Sequence, residues 1–385
     1  MTKLENKFIE LIKKNYIVLF AVAITVVGLG MRYSGMNYKS DDWHVFFEPW
    51  YRIVMANGQI DCLQYPVGDY NVLYQTLFTW LTYIPKDPLY LLKVMAFCFD
   101  FSLAIGCAAC VFELVCEKKK EAAVLTYSLI WVSPFVVMNS AYWVQTEAIC
   151  TSFIIWALFF LLRKKDILAF VCLGLAFAFK IQVLFVLPFL VFIYVLNKSF
   201  SLLHVLIPIV VGWISSVPAI LCGRGVFSFF EVYMGQKEEL TQMSVNYPNF
   251  WMVVGGSYAF METFAIFLTT AILGIGMFLL ISHNTVIDSG KRALPLLIWT
   301  VWTVVMFMPG MHDRYGYLLE IVLLVSLVAD LKKYLPYALG VYIATLISYS
   351  NYLFATDYSV MPWALLHLLS YVLFSIKYFA VEIRE

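Results

Sequence analysis

Hydrophobic residues along this chain fall into long runs that short polar segments separate. A helix needs about 20 apolar residues to cross the hydrocarbon core of a bilayer, and several of the runs reach that length. We therefore predict helices at residues 16–33, 89–116, 122–138, 147–162, 167–179, 180–195, 202–221, 257–281, 294–309, 316–330, 335–354 and 361–378. The pattern predicts an all-α polytopic membrane protein with about 12 transmembrane passes, within a range of roughly 10–13, and a single integral membrane domain over residues 1–385.

The segment from 167 to 195 allows two interpretations. It forms either one long helix or a hairpin whose tip carries Lys180 to water, since a charged side chain is costly in the bilayer core. With the hairpin, 17 of the 26 lysine and arginine residues lie on the cytoplasmic side, in clusters such as 118–120 and 163–165, and both termini lie there too. The enrichment of cytoplasmic loops in basic residues favours the hairpin, but the sequence leaves the choice open.

Composition agrees with a membrane protein, because 62% of the residues are hydrophobic, 13% are charged and the mean hydropathy is +0.82. The formal net charge of +1 comes with basic residues in short clusters between apolar runs, so no nucleic-acid partner is expected. Cys107 and Cys110 have no second pair to complete a metal site. Lys93 and Asp100 stand seven residues apart on one predicted helix, and we expect them to form a buried structural ion pair rather than a transport relay.

Two segments between the predicted helices are unusually long, 34–88 and 222–256, and both fall on the predicted extracytoplasmic side. Long loops in a compact protein often carry function. In the first loop, apolar residues from Trp43 to Val54 recur at the spacing of one helical face, which predicts an amphipathic helix in the membrane interface. The turn GDYN at 68–71 then precedes a second interfacial helix that is rich in aromatic residues.

Two adjacent carboxylates, Asp41 and Asp42, stand directly in front of the first interfacial helix. They are candidates to cap its amino terminus, as is Ser40, because Ser and Asp side chains accept hydrogen bonds from the first free backbone amides. Capping does not exclude catalysis, since one carboxylate can cap while the other faces a cavity. The sequence therefore leaves both roles open.

Four further polar segments fall on the same predicted face. They are YWVQTE at 142–147, the hairpin GLAFAFKIQVLFVLP at 174–188, YPNFW at 247–251 and MPGMHDRY at 308–315. Together with SDDW and the aromatic first loop, they resemble the GT-C superfamily of glycosyltransferases, in its bacterial branch similar to the mannosyltransferases of glycolipid-anchor assembly. The resemblance covers residues 34–316 and departs from the family pattern at Val144, Glu147 and Asp313, where the family has Gly, Asp and Glu.

The resemblance implies an inverting transfer of a hexose from a polyprenyl phosphate, undecaprenyl phosphate in a bacterium, to a glycan or glycolipid of the cell envelope. It implies a multi-pass protein of the cell membrane with its active site on the extracytoplasmic face, and no metal or other cofactor. The family's catalytic carboxylate lies where SDDW stands, so Asp42 is the expected base, with Asp41 beside it. The expected donor-phosphate contacts are Lys180, Arg314 and His312, and the expected sugar or acceptor contacts are Asp69, Tyr70, Trp143, Gln145, Glu147, Gln182 and Tyr315.

Two other functions stay open. A secondary transporter would also have about twelve passes with both termini inside, but its essential polar residues are expected near the membrane midplane. A polysaccharide polymerase or ligase would use the same lipid-linked substrates and would transfer whole oligosaccharides. Asp69 has a structural alternative as well, because its side chain can hold the GDYN turn through a bond to its own backbone.

Overall fold

The computed structural model describes residues 2–238, 241–287 and 289–382, so residues 239 and 240 of the second long loop lie outside it. The regular structure of the described residues is helical apart from two short strands. Their α-helices are α1 (Lys3–Ser34), α2 (Glu48–Ala56), α3 (Val72–Leu81), α4 (Pro88–Leu114), α5 (Lys119–Trp131), α6 (Pro134–Val137), α7 (Glu147–Leu162), α8 (Asp166–Phe179), α9 (Leu187–Asn197), α10 (Leu206–Ser215), α11 (Val217–Leu221), α12 (Ser228–Glu238), α13 (Phe250–Val254), α14 (Tyr258–Ser282), α15 (Gly290–Phe307), α16 (Tyr317–Ala329), α17 (Leu331–Phe354) and α18 (Met361–Lys377).

Shorter elements join these helices. Single π-helical segments cover Trp43–Phe47, Met138–Tyr142 and Tyr378–Glu382, and 3₁₀ helices cover Gln59–Gln64, Ile181–Val186 and Leu202–Val205. Strands β1 (Ser244–Val245) and β2 (Met311–His312) pair in parallel, with Ser244 opposite Met311. The pairing ties the second long loop to the segment that carries MPGMHDRY.

Four helical segments are long and apolar enough to cross a membrane: α1, α4, α14 and Met361–Val381. A fifth forms if α5 and the segment Pro134–Tyr142, which is bent from it by 48°, count as one span. The apolar helices between Glu147 and Ser215, and the one from Tyr317 to Ala329, are only 10–17 residues long. The prediction of an all-α fold is confirmed for the described residues, and four or five of their helical segments could cross a membrane by length and composition, whereas the number of passes stays a prediction.

The chain reverses direction at Lys180. Its backbone is extended there (φ −148°, ψ 143°), which ends α8 and starts the 3₁₀ turn before α9. Asp166, at the start of α8, and Asn197, at the end of α9, line one cavity of about 750 Å³, while Lys180 bonds to Glu147 at the far end of α7. The hairpin interpretation of 167–195 is therefore confirmed as a reversal of the chain. The expectation that its tip carries Lys180 to water is wrong, because Lys180 is only 8% exposed and its charge is compensated by Glu147 instead.

This cavity defines one end of the molecule, which we call the basic end. Its lining includes Leu114, Lys164, Asn197 and Gly290, and the basic clusters around 118–120 and 163–165 lie at the helix ends beside it. The other end carries Asp42, Glu147, Lys180 and Arg314, and we call it the motif end. The helices run between these two ends.

The first long loop folds much as its pattern predicts. Trp43, Phe47 and Val54 are buried on one face, whereas His44 and Arg52 are exposed on the other. The residues after Asn57 turn away through Gly58, whose left-handed conformation (φ 78°) favours glycine. The structure differs from the pattern in one respect, the capping of the helical segment that follows Asp42. Asp42 makes no capping bond, and the Ser40 hydroxyl instead accepts from the Trp43 amide at 3.4 Å.

The expected pairing of Lys93 with Asp100 is wrong. Asp100 binds Arg32 of α1 at 2.8 Å, and both side chains are fully buried. The Lys93 ammonium instead donates to the carbonyl oxygens of Gly35 and Tyr38, at 2.7 and 2.6 Å. The physical reason is distance, since seven residues along a helix separate two side chains by about 10 Å.

Candidate functional site at the motif end

Asp42 is the centre of a buried polar cluster. Only 6% of its surface is exposed. Its Oδ2 accepts hydrogen bonds from the Trp143 indole at 2.9 Å and from the Gln145 amide, and its Oδ1 accepts from the Tyr352 hydroxyl. Both carboxylate oxygens are therefore occupied in this state of the protein.

The segment from Trp143 to Gln145 is shaped to reach this carboxylate. The preceding π-helix ends at Tyr142, and the backbone N–H of Gln145 then donates to the backbone carbonyl of Asn139 at 2.9 Å. Val144 between them adopts a left-handed backbone conformation with φ 67°. A β-branched residue is strained in that conformation, which glycine adopts without cost.

Glu147, Lys180 and Arg314 form the second half of the cluster. The Glu147 Oε1 lies 2.5 Å from the Lys180 ammonium and 3.1 Å from the Arg314 Nε, and its Oε2 accepts from Asn139 at 3.2 Å. Arg314 links the two halves, because its Nη1 lies 3.8 Å from Asp42 Oδ2. Four distant parts of the sequence thus supply one ionic network: the segment before α2, α7, the hairpin after α8 and the loop after α15.

Charge in this cluster is unbalanced. Asp313 adds a third carboxylate, whose Oδ1 lies 3.8 Å from Arg314 Nη1 and has no hydrogen-bond partner among the described residues. Burial, together with the charges of Asp42 and Glu147, raises the pKa of Asp313 to about 7, against the opposing effect of Arg314. Burial and the neighbouring cations Arg314 and Lys180 lower the pKa of His312 to about 4, so this imidazole is neutral at pH 7.

Aromatic side chains enclose the cluster. The Tyr70 hydroxyl donates to Gln145 Oε1 at 2.8 Å, and the Lys180 ammonium lies 5.1 Å from the centre of the Tyr70 ring. The Trp143 ring is fully buried, stacked on Tyr352 with 4.3 Å between ring centres. A sugar or acceptor could contact the Trp143 ring, as the sequence predicts, only if that ring were uncovered.

The remaining predicted site residues lie at different distances from this centre. Tyr315 packs on His312 with 5.1 Å between ring centres, and burial raises the pKa of its hydroxyl against the opposing effect of Arg314 and Lys180. Gln182 follows Lys180, and its buried Oε1 has no partner among the described residues. Asp41 is exposed and makes none of the bonds that Asp42 makes. Asp69 is also exposed, and its backbone carbonyl accepts from the Gln236 amide.

Two residues of the cluster were missed by sequence reasoning. Tyr352 lies in α17, in the part of the chain where no motif was recognised, and one tyrosine among 25 gives no signal of its own. Asn139 lies in the π-helical segment before the YWVQTE motif. Its polar side chain inside an apolar run was the one signal available for it.

A large cavity lies away from the motif end. That cavity, of about 750 Å³, is at the basic end, is mostly apolar and is lined by none of the predicted site residues. At the motif end, 19% of the Arg314 side chain is exposed, compared with 6% for Glu147 and 9% for Asp42. Arg314 is therefore the charged group of the network that solvent reaches most easily.

No protein-family model matches the chain, and a search of curated proteins found no significant match. What the cluster does has to be inferred from its chemistry. A buried carboxylate can accept a proton from a bound hydroxyl, and two cations beside it can stabilise a departing anion. The cluster holds both kinds of group within one network.

Proposed function

We propose that this protein is an inverting glycosyltransferase that moves a hexose from a polyprenyl phosphate, undecaprenyl phosphate in a bacterium, to a glycan or glycolipid acceptor. One observation carries the proposal. Asp42, Lys180 and Arg314, which are far apart in the sequence, meet in one buried network at the end of the molecule opposite the basic clusters. These are the base and the cations that the reaction needs.

Asp42 is the base in this proposal. The acceptor hydroxyl oxygen attacks the anomeric carbon, the bond from that carbon to the phosphate oxygen breaks with its electron pair, and the hydroxyl proton passes to Asp42. Attack from the face opposite the leaving phosphate inverts the anomeric configuration. The hydrogen bonds from Trp143 and Gln145 to Oδ2 hold the carboxylate in place, and Oδ1, whose one donor among the described residues is the Tyr352 hydroxyl, is the oxygen that takes the proton.

Arg314 and Lys180 stabilise the departing phosphate. Arg314 uses Nε for Glu147 and Nη1 for the two aspartates, and no hydrogen bond or ion pair of the described residues engages its Nη2. That nitrogen can donate to a phosphate oxygen without breaking the network. Cations that are fixed in a low-dielectric site stabilise developing negative charge more strongly than water does.

The twelve predicted helices are proposed as twelve passes, with the basic end in the cytoplasm. Lys164 lines the cavity there, and α5, α15 and α17 each begin beside lysine or arginine at the same end. The motif end then faces the extracytoplasmic side, where undecaprenyl-linked sugars and envelope acceptors meet. The enrichment of cytoplasmic loops in basic residues supports this orientation.

The substitution Asp42→Asn tests the proposal. We expect the transfer of labelled hexose from a polyprenyl-phosphate hexose to fall about 10²- to 10⁴-fold, the usual contribution of a general base. Glu48→Gln is the matched control, because Glu48 is a carboxylate six residues away that pairs with exposed Arg52 at 2.7 Å. Asp41→Asn should reduce transfer only a few-fold, since Asp41 is exposed. Full turnover in Asp42→Asn would remove the proposed base.

A secondary transporter is the second candidate, and one observation favours it. Arg32, Asp100 and Glu320 are charged residues that are almost fully buried within helices, and such residues often mark an ion pathway. Uptake of a labelled lipid-linked sugar into vesicles that survives Asp42→Asn but is lost in Glu320→Gln would favour transport. A polymerase or ligase would instead be recognised by transfer from oligosaccharide donors in preference to monosaccharide donors.

A further inference from the structure

The carboxylate proposed as the base is blocked in the resting protein. Oδ1 of Asp42 accepts from the Tyr352 hydroxyl, and Oδ2 accepts from Trp143 and Gln145. Only 6% of Asp42 is exposed, so its three hydrogen-bond donors and their side chains cover it from an incoming hydroxyl. At least one of these three partners must therefore move before an acceptor reaches the carboxylate.

Tyr352 is the partner that can leave. Trp143 and Gln145 are 0% and 2% exposed, and Tyr70 donates a further bond to Gln145 at 2.8 Å. Tyr352 is half-buried, and α17 ends two residues later at Phe354. Ala355, the next residue, has a left-handed backbone (φ 50°) that ends the helix and starts a loop. A side chain at a helix end beside a loop moves at lower cost than one in a packed core.

Departure of Tyr352 would uncover two groups at once. One is Oδ1 of Asp42, and the other is the face of Trp143 on which the Tyr352 ring is stacked, with an interplanar angle of 17°. An indole face beside a carboxylate matches a sugar ring, because the C–H face of a pyranose packs on an aromatic plane while its hydroxyls donate to the acid. A lipid alcohol or a serine side chain would use the carboxylate but not the indole.

We propose that Tyr352 occupies the acceptor subsite in the resting protein, and that the acceptor is a sugar ring that displaces it, stacks on Trp143 and donates one hydroxyl to Asp42 Oδ1. This inference rests on the proposed function for the role of Asp42, and it adds the chemical class of the acceptor. The Tyr352 hydroxyl stands where the attacking hydroxyl will stand. It also keeps water from Asp42 when no acceptor is bound, which suppresses hydrolysis of the donor.

The test is chemical labelling of Asp42, which needs neither donor nor turnover. Purified full-length protein in detergent is treated with a water-soluble carbodiimide and an amine, and amidation of Asp42 is followed by peptide mass spectrometry. Relative to the unmodified protein, Tyr352→Ala should label about tenfold faster, and Tyr352→Phe should label several-fold faster because the ring stays and only the hydrogen bond is lost. Equal labelling of all three proteins would overturn the proposal.

Tyr349→Phe is the matched control. Tyr349 lies one turn earlier on α17 and also packs on Trp143, with 5.0 Å between ring centres, but its hydroxyl bonds to Asn139 at 3.5 Å and does not contact Asp42. It should label at the rate of the unmodified protein. Labelling that rises in Tyr349→Phe as much as in Tyr352→Phe would mean general loosening around Trp143, and it would contradict a specific role of Tyr352.

The acceptor class is tested with defined probes on Tyr352→Ala. Methyl hexosides at millimolar concentration should slow the labelling of Asp42, whereas octanol should not. Equal protection by octanol would overturn the sugar subsite. Failure of the transferase proposal is distinguishable: if no polyprenyl-phosphate sugar is turned over but the labelling and the protection by hexosides occur, the sugar subsite stands and the transfer reaction does not.

Discussion

Two buried ionic networks in this protein contain the same residue types but are expected to have different roles. In the helix bundle, Arg32 pairs with Asp100 at 2.8 Å, donates to the carbonyl of Trp131 at 2.8 Å and lies 3.7 Å from the centre of the Trp131 ring. At the motif end, Arg314 and Lys180 share the carboxylates Asp42, Glu147 and Asp313. Both networks have an arginine against an indole and a carboxylate.

The two networks differ in the ratio of cations to carboxylates and in their exposure to solvent. The Arg32 network has one cation for one carboxylate, both fully buried, with only Asp100 Oδ1 left over. The motif-end network has two cations for three carboxylates, and it is partly exposed through Arg314. A closed, balanced pair fixes helices against each other, whereas an unbalanced and accessible one is expected to respond to a ligand.

Removing the two arginines in turn gives the largest expected effect. Arg32→Met leaves Asp100 buried without its cation and should cost about 3–5 kcal/mol of stability, measured by thermal unfolding in detergent. Arg314→Met should cost about 1 kcal/mol, because Glu147 keeps Lys180 and Asp42 keeps its three hydrogen-bond donors. Sugar transfer should respond in the opposite order, with Arg314→Met losing about 10²- to 10³-fold in turnover per folded molecule.

A double variant, Arg32→Met with Asp100→Leu, provides the control for the bundle pair. It removes both charges and should recover most of the stability that Arg32→Met loses, because buried ion pairs can often be replaced by packed apolar residues. If Arg314→Met were the more destabilising single variant, the division into a structural and a functional network would be wrong.

Asp313 should make the stability and the donor binding of the motif-end network depend on pH. Its pKa is raised from its ordinary value of 3.8 to about 7. Because the folded protein keeps this proton to a higher pH than the unfolded chain, its stabilising effect is present below pH 4 and is lost as the pH rises to about 7. Ionisation above pH 7 also adds a negative charge beside Arg314. The KM for the phosphate donor should therefore rise several-fold, up to about tenfold, between about pH 6 and 8.

Asp313→Asn removes this titrating group, and both its donor KM and its unfolding temperature should depend less on pH over that range. His312 does not interfere, because its pKa of about 4 keeps it neutral throughout. An unchanged pH profile in Asp313→Asn would show that another group near the phosphate site is responsible.

The smallest expected effect comes from backbone strain, which is found beside the motif-end network. Among the described residues that carry the Arg32 pair, none has a left-handed backbone, whereas Val144 between Trp143 and Gln145 does. Glycine avoids the cost of about 1–2 kcal/mol that this conformation imposes on other residues. Val144→Gly should therefore be about 1 kcal/mol more stable than Val144→Ala. Val136, buried in α6 with a helical backbone, should show the reverse order of glycine and alanine.

Much of this architecture can be predicted from the sequence because it depends on local patterns. The apolar runs predict the helices, Lys180 in the middle of a run predicts the reversal, and the face from Trp43 to Val54 predicts the helix of the first loop. Contacts between distant helices cannot be predicted in this way. The partner of Asp100 depends on how α1 packs against α4, which no spacing within α4 reveals.

The residues of the motif-end site also fall into those that local patterns predict and those that depend on contacts between distant helices. Residues in recognisable motifs, such as Asp42, Lys180 and Arg314, were predicted to lie together, and the structure brings them together. Asp41 and Asp42 could not be distinguished by composition, since only the turn of the helix that follows determines which of two neighbours faces inward. Tyr352 had no motif, because its importance comes entirely from where α17 ends.

The parallel pairing of Ser244–Val245 with Met311–His312 has a mechanical consequence. Two residues before Arg314, the chain is fastened to the loop that joins α11 to α14. An antibody fragment, an inserted tag or a second protein that bound this loop and displaced it would also displace His312. The Arg314 guanidinium lies only two residues farther along the chain and would move with it. The proposed phosphate contact of Arg314 would then respond to that loop without a change in the helices.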